Sequence, residues 1–123
     1  MLKVHTKKLE TVAILSLRGQ IVTGETELLR TAVQSLGGVR AVILDLACVT
    51  TVDAGGLGML LALRECLQAE GIGLELMNVG KWISRVLQIA RLDSVFQVVS
   101  AVEFFPAGSH QRRAVMPRLA SCA

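Results

Sequence analysis

Along the chain the spacing of apolar residues switches repeatedly between two rhythms, and each switch predicts a new element. Val12, Ile14 and Leu17, with Leu15 between them, predict a strand that pairs with the short stretch around residues 2–4. Leu28, Leu29, Ala32, Val33 and Leu36 then recur on one side of a helix, which Gly37 and Gly38 stop. Thr23 is placed to cap that helix, and Glu25 and Glu27 put negative charge near its start. "AVILDLACV", residues 41–49, is an almost unbroken apolar, β-branched run. Such a run predicts a central strand buried on both faces, hence a parallel one. A helix follows from about Gly55 to Glu70, ending at Gly71; then "IGLELMNV" reads as a strand, "WISRVLQIA" as a helix and "VFQVV" as a last strand. "SAVEFF" opens a terminal helix that Pro106 limits. Strand and helix alternate, so the expected class is α/β: a mixed, mostly parallel sheet of four to five strands with about four helices and right-handed crossovers.

Length and composition fit one well-filled domain. The apolar fraction of 52% lies slightly above the usual globular range. No window reaches the ~18 uninterrupted apolar residues of a membrane span. The lysines ahead of "TVAILSLRG" resemble a secretion signal only superficially, because the run is short, closes on Arg18 and lacks a small-residue cleavage pattern. A cytoplasmic protein without direct membrane insertion is expected.

The net charge is +3, but residues 1–106 carry ten basic and ten acidic side chains. The excess sits on Arg112, Arg113 and Arg118, within a segment (residues 107–123) that reads as a loose basic tail. A neutral domain with one Trp, three Phe and no Tyr offers neither a phosphate-tracking stripe nor a stacking platform, so nucleic acid is not expected as a partner. Cys48, Cys66 and Cys122 lack metal-ligand spacing and read as reduced thiols, the first two as small core hydrophobes. His5 reads as a surface residue, with no second ligand type clustered about it. No Ser-His-Asp set, carboxylate pair or metal cluster stands out, and His110 lies in the tail. Neither an enzyme, nor a metal site, nor a cofactor is expected.

The stretch with most to say is "TTVDAGGLGMLL", residues 51–62. It joins the end of a central parallel strand to a helix N-terminus, the edge where open α/β sheets place their sites. Asp53 is positioned to cap the helix through the N–H of Gly55 or Gly56. The glycines clear side chains from the backbone, yet the run lacks the Lys and Ser/Thr of a P-loop and the spacing of a dinucleotide loop.

"VTTVDAGGLGMLL" resembles the signature of the STAS family, the bacterial anti-sigma factor antagonists and their relatives. That loop runs roughly D-S-S/T-G-L-G, and its first hydroxyl is phosphorylated by a cognate anti-sigma kinase. The resemblance extends from residue 1 to about residue 105. "LRGQIV" looks like the strand ending in G-E-L-D, "AVILDLACV" like the central strand, and "RLDSVFQVV" like the G-L-x-x-x-F segment. Asp53, Gly56, Leu57 and Gly58 are retained, whereas Ala54 stands at the phosphoacceptor and Gly55 at the next hydroxyl position. Gln20 and Val22 replace two acidic positions of the family, and Arg91 stands where a helix-ending glycine is common.

The resemblance implies an STAS-like domain over residues 1–106 that binds an anti-sigma factor or kinase-like regulator without the usual phosphorylation control. The contact residues it implies are Asp53, Ala54, Gly55, Gly56, Leu57, Gly58, Met59 and Leu63. Thr50 or Thr51 could substitute as acceptor, although threonines at a strand end are ordinarily structural. Met59, Leu63 and Cys66 form a second ridge on the helix after the loop, either a docking patch or a face covered by a neighbouring helix. Arg64 falls near the core-facing arc. An alternative role is a scaffold or accessory subunit of a stress-signalling assembly or membrane transporter, and a homodimer is compatible with either reading.

Overall fold

The computed structural model describes residues 2–99. Its elements, in chain order, are β1 (Lys3–Leu9), β2 (Val12–Ile21), α1 (Glu27–Gln34), β3 (Ala41–Val52), α2 (Ala54–Ala69), β4 (Gly73–Met77), α3 (Lys81–Ile89) and β5 (Gln97–Val99). The strands lie side by side in sequence order, β1-β2-β3-β4-β5. β1 and β2 form an antiparallel hairpin, closed by a turn in which Glu10 has φ 56°. Every later pairing is parallel. The expected α/β architecture with a mixed five-stranded sheet is therefore present, with three helices among the described residues. The helix expected at "SAVEFF" and the tail expected at 107–123 fall outside them.

Sequential order has a geometric consequence. Right-handed crossovers that always step in the same direction deposit their helices on the same face of the sheet. The contacts agree: Leu29 and Val33 of α1, Leu60, Leu63 and Leu67 of α2, and Ile83 and Leu87 of α3 share one core with Leu15, Leu44 and Leu76 of the sheet. On the opposite face Ile14, Ile43 and Met77 form a second, smaller cluster, flanked by Leu9 and Val12. β3 is buried on both faces, as its apolar run requires.

Several local expectations change. α1 starts at Glu27 with Thr26 at its N-cap and no side-chain cap, so Thr23 does not cap it. Leu28 consequently points outward at 52% exposure while Leu29 enters the core. Cys66 is an exposed free thiol, and Cys48 is half-buried on β3, so neither is a core hydrophobe. Arg64 is half-buried on α2.

Two helices finish alike. After α2 the N–H of Ile72 donates to the Leu67 carbonyl and that of Gly71 to Gln68, with Gly71 at φ +77°. After α3 the N–H of Leu92 donates to Leu87 and that of Arg91 to Gln88, with Arg91 at φ 60°. This is the Schellman arrangement, which satisfies the last carbonyls through a left-handed residue. Arg91 occupies the left-handed position that glycine fills at α2.

Candidate functional site

The loop between β3 and α2 opens at the sheet edge where β2 and β4 also end. Asp53 has extended backbone (φ −103°, ψ −178°) and caps α2: its Oδ1 accepts from the N–H of Gly56 at 2.8 Å. The same carboxylate reaches sideways to the end of β2, where the N–H of Thr23 lies 3.1 Å from each oxygen. The N–H of Asp53 in turn donates to the Ile21 carbonyl at 3.3 Å. One exposed acid thus fastens the start of α2 to the end of β2. The N–H bond from Gly56, then that from Thr23, hold its carboxyl below the ordinary aspartate value, since both favour the charged form.

The glycines divide by what surrounds them. A Cβ on Gly56 would sit 1.9 Å from the Ile21 carbonyl oxygen, and one on Gly55 would sit 1.8 Å from Thr23 Oγ1. A Cβ on Gly58 would meet nothing within 4 Å. Gly55 and Gly56 therefore let α2 press against the end of β2, a packing role. They make no cradle for a phosphate.

Residues expected at this site separate into two groups. Asp53, Ala54, Gly55 and Gly58 are exposed and form a continuous, nearly side-chain-free surface at the start of α2. Gly56 and Leu57 are buried beneath it. Met59 and Leu63 are only 7% and 5% exposed and belong to the main core. Two of the three ridge residues are thus buried, whereas Cys66 is exposed; Leu63 lines a hollow between α1 and α2 of about 350 Å³, together with Val33, Leu36 and Leu67.

Thr50 and Thr51 belong to β3 itself. The Thr50 hydroxyl donates to the Gly19 carbonyl at 3.1 Å, and Thr51 is half-buried opposite Gln20. Both are strand residues that precede the loop.

Asp45 escaped the sequence reading, because a single acid inside an apolar run looks incidental. It is buried to 5% exposure, the one buried polar residue among those described. Its Oδ1 accepts from the N–H of Ala47 and from Asn78 Nδ2, each at 3.0 Å. The register places it in a row with His5 and Ser16 on three adjacent strands. These residues help to line a hollow of about 280 Å³. In a hydrolytic triad the imidazole stands between hydroxyl and carboxylate. Here the serine stands in the middle, so the row has no relay order.

Residues 3–105 match the STAS domain family, and the chain belongs to it. The fold recurs in an anti-sigma factor antagonist from Mycobacterium paratuberculosis, with TM-score 0.70 and 22% identity over 80% of this chain and 85% of that one. It recurs in the anti-sigma factor antagonist SpoIIAA in its unphosphorylated form, with TM-score 0.68 and 16% identity over 94% and 96%. A sulfate transporter family protein from Wolinella succinogenes matches with TM-score 0.66 and 18% identity over 90% and 88%. At these identities the likeness concerns the fold. Among the described residues no helix is long and apolar enough to cross a membrane.

Proposed function

We propose that this STAS domain is a non-catalytic regulatory module that docks an anti-sigma factor or kinase-like partner through the exposed start of α2. The supporting observation is the surface of Asp53, Ala54, Gly55 and Gly58, held rigidly by the Asp53 clamp and open to solvent. Preorganised backbone of this kind lowers the ordering cost of association. Phosphorylation control is absent from this reading, because neither Ala54 nor Gly55 carries an oxygen to accept a phosphoryl group. The burial of Met59 and Leu63 moves the helical part of the contact to the outward residues of α2, Gly58 and Glu65 with half-buried Leu61 and Ala62.

The test is Ala54→Glu, titrated beside the wild type against a purified kinase-like anti-sigma factor. A carboxylate in the first helical turn interacts favourably with the helix dipole, so the melting midpoint should hold. An unpaired charge desolvated at an interface should weaken binding at least ~100-fold, about 2.7 kcal/mol. Equal affinities would remove the loop from the interface. The transporter-family neighbour favours a second reading, an accessory domain of a larger assembly. Co-purification with a membrane complex in place of a kinase-like partner would select it.

A further inference from the structure

α2 and α3 follow the adjacent strands β3 and β4 and lie on the same face of the sheet. Helices packed side by side stand about 8–10 Å apart. A specific interface takes about 20–30 residues from each partner. The exposed start of α2 supplies four, Asp53, Ala54, Gly55 and Gly58, and only the first has a side chain beyond Cβ. A partner seated there must reach further, and on one side it meets α3. Taking docking at α2 as given, we propose that the same partner also grips α3. It holds Trp82 in an apolar recess bordered by carboxylates that face Lys81 and Arg85.

The residues of α3 divide by face. Ile83 and Leu87 enter the core, whereas Lys81, Trp82, Arg85 and Ile89 are exposed. Lys81 and Arg85 are four positions apart and Trp82 and Arg85 three, so all three are neighbours on the helix surface. With Ser84 and Gln88 they line an open hollow of about 510 Å³ along the outward side of α3. Tryptophan and arginine are the types enriched among residues that dominate binding energy. No acid occurs from residue 79 to residue 92, and Arg91 adds a further positive charge, so the helix presents one sign. Its first turn, which no side chain caps, contributes the positive end of the helix dipole. The surface that fits is therefore acidic.

Two other occupants fit less well. A second copy meeting this face in two-fold symmetry would set its lysine and arginines against the same residues. A helix that lies on a membrane buries its apolar face in the bilayer. The apolar face of α3 is already committed to the sheet through Ile83 and Leu87.

The experiment titrates the full chain against a purified kinase-like anti-sigma factor, with a melting curve for each variant. Trp82→Ala should weaken binding at least ~30-fold. Lys81→Glu with Arg85→Glu should do the same and remove the salt dependence of the wild-type affinity. Midpoints should hold, because all three side chains are exposed. Trp82 is the chain's one tryptophan, so 5-fluorotryptophan gives a single fluorine resonance, which should shift on complex formation. Ala54→Glu, run alongside, separates the two contacts. Full binding by both α3 variants beside a weakened Ala54→Glu overturns the grip on α3 and leaves docking at α2 standing. Full binding by every variant, or none by the wild type, overturns both. Sedimentation with phosphatidylglycerol vesicles should leave the protein in the supernatant. Pelleting that Trp82→Ala abolishes would give the face to a membrane and overturn the proposal.

Discussion

α2 and α3 are successive crossovers of the same kind. Each follows a parallel strand at the same edge of the sheet, and each ends in the same Schellman turn. Their other features diverge. α2 runs for 16 residues, is capped by a side chain and buries six residues, including a glycine pressed on a neighbouring strand. α3 runs for nine, starts at Gly80 without a side-chain cap and buries Ile83 and Leu87 alone. Its outward face carries Trp82 and Ile89 at 54% and 76% exposure. The strand-to-helix topology thus makes no demand for a clamp or for a close glycine. Those are particular to α2, and they fix the one helix start at which the candidate surface lies.

The sharpest way to break this contrast is charge on each helix. Met59→Lys with Leu63→Lys should unfold the domain, since two unpaired ammonium groups in the core cost several kcal/mol. Trp82→Lys with Ile89→Lys should leave the midpoint within a few degrees, because neither side chain is buried. Thermal denaturation of both pairs decides, and a stable, folded first pair would return Met59 and Leu63 to the surface.

A smaller effect probes the helix start. Gly56→Ala should cost about 3 kcal/mol, because the added carbon meets a backbone carbonyl that cannot rotate away. Gly58→Ala, two residues later in open space, should gain roughly 0.5–1 kcal/mol from the lower entropy of the unfolded chain. Urea titrations should show the two variants moving in opposite directions.

At the helix ends the contrast reverses in favour of α2. Arg91→Gly should stabilise the protein by about 1 kcal/mol by relieving the cost of a left-handed arginine. Calorimetry that finds a loss would mean that the arginine side chain contributes more than its backbone costs.

The subtlest prediction concerns acid. Asp53 has a lowered folded value, so its contribution is present above the unfolded carboxylate value and is lost as pH falls through the folded one. Asp53→Asn should flatten the stability profile below about pH 4. A profile unchanged from the wild type would show that the clamp does not depend on charge.

The sequence revealed the parts of this molecule whose signals are local. The apolar run of β3, the acid-glycine junction and the alternation of strand and helix each rest on neighbouring residues. What escaped depends on distant ones. Whether Met59 and Leu63 faced solvent turned on what packs against α2, which no periodicity in α2 encodes. The role of Thr23 turned on an acid thirty residues away, to whose carboxylate its N–H donates, while Thr26 takes the N-cap position of α1. Asp45 was invisible because Asn78, a side-chain partner, lies beyond an intervening helix.

The border formed by β1 has a bearing on solubility. A strand at the rim of a sheet offers unpaired backbone groups to any other extended chain, the first step towards aggregation. β1 carries Lys3, Lys7 and Lys8 within seven residues, and the Lys8 ammonium is tied to the Gly37 carbonyl at 2.6 Å. A second molecule pairing there in antiparallel register would bring its own lysines against these, an unfavourable meeting of like charges. At the other border β5 has three strand residues among those described. Replacing the three lysines by threonine would preserve the strand and expose a sticky rim.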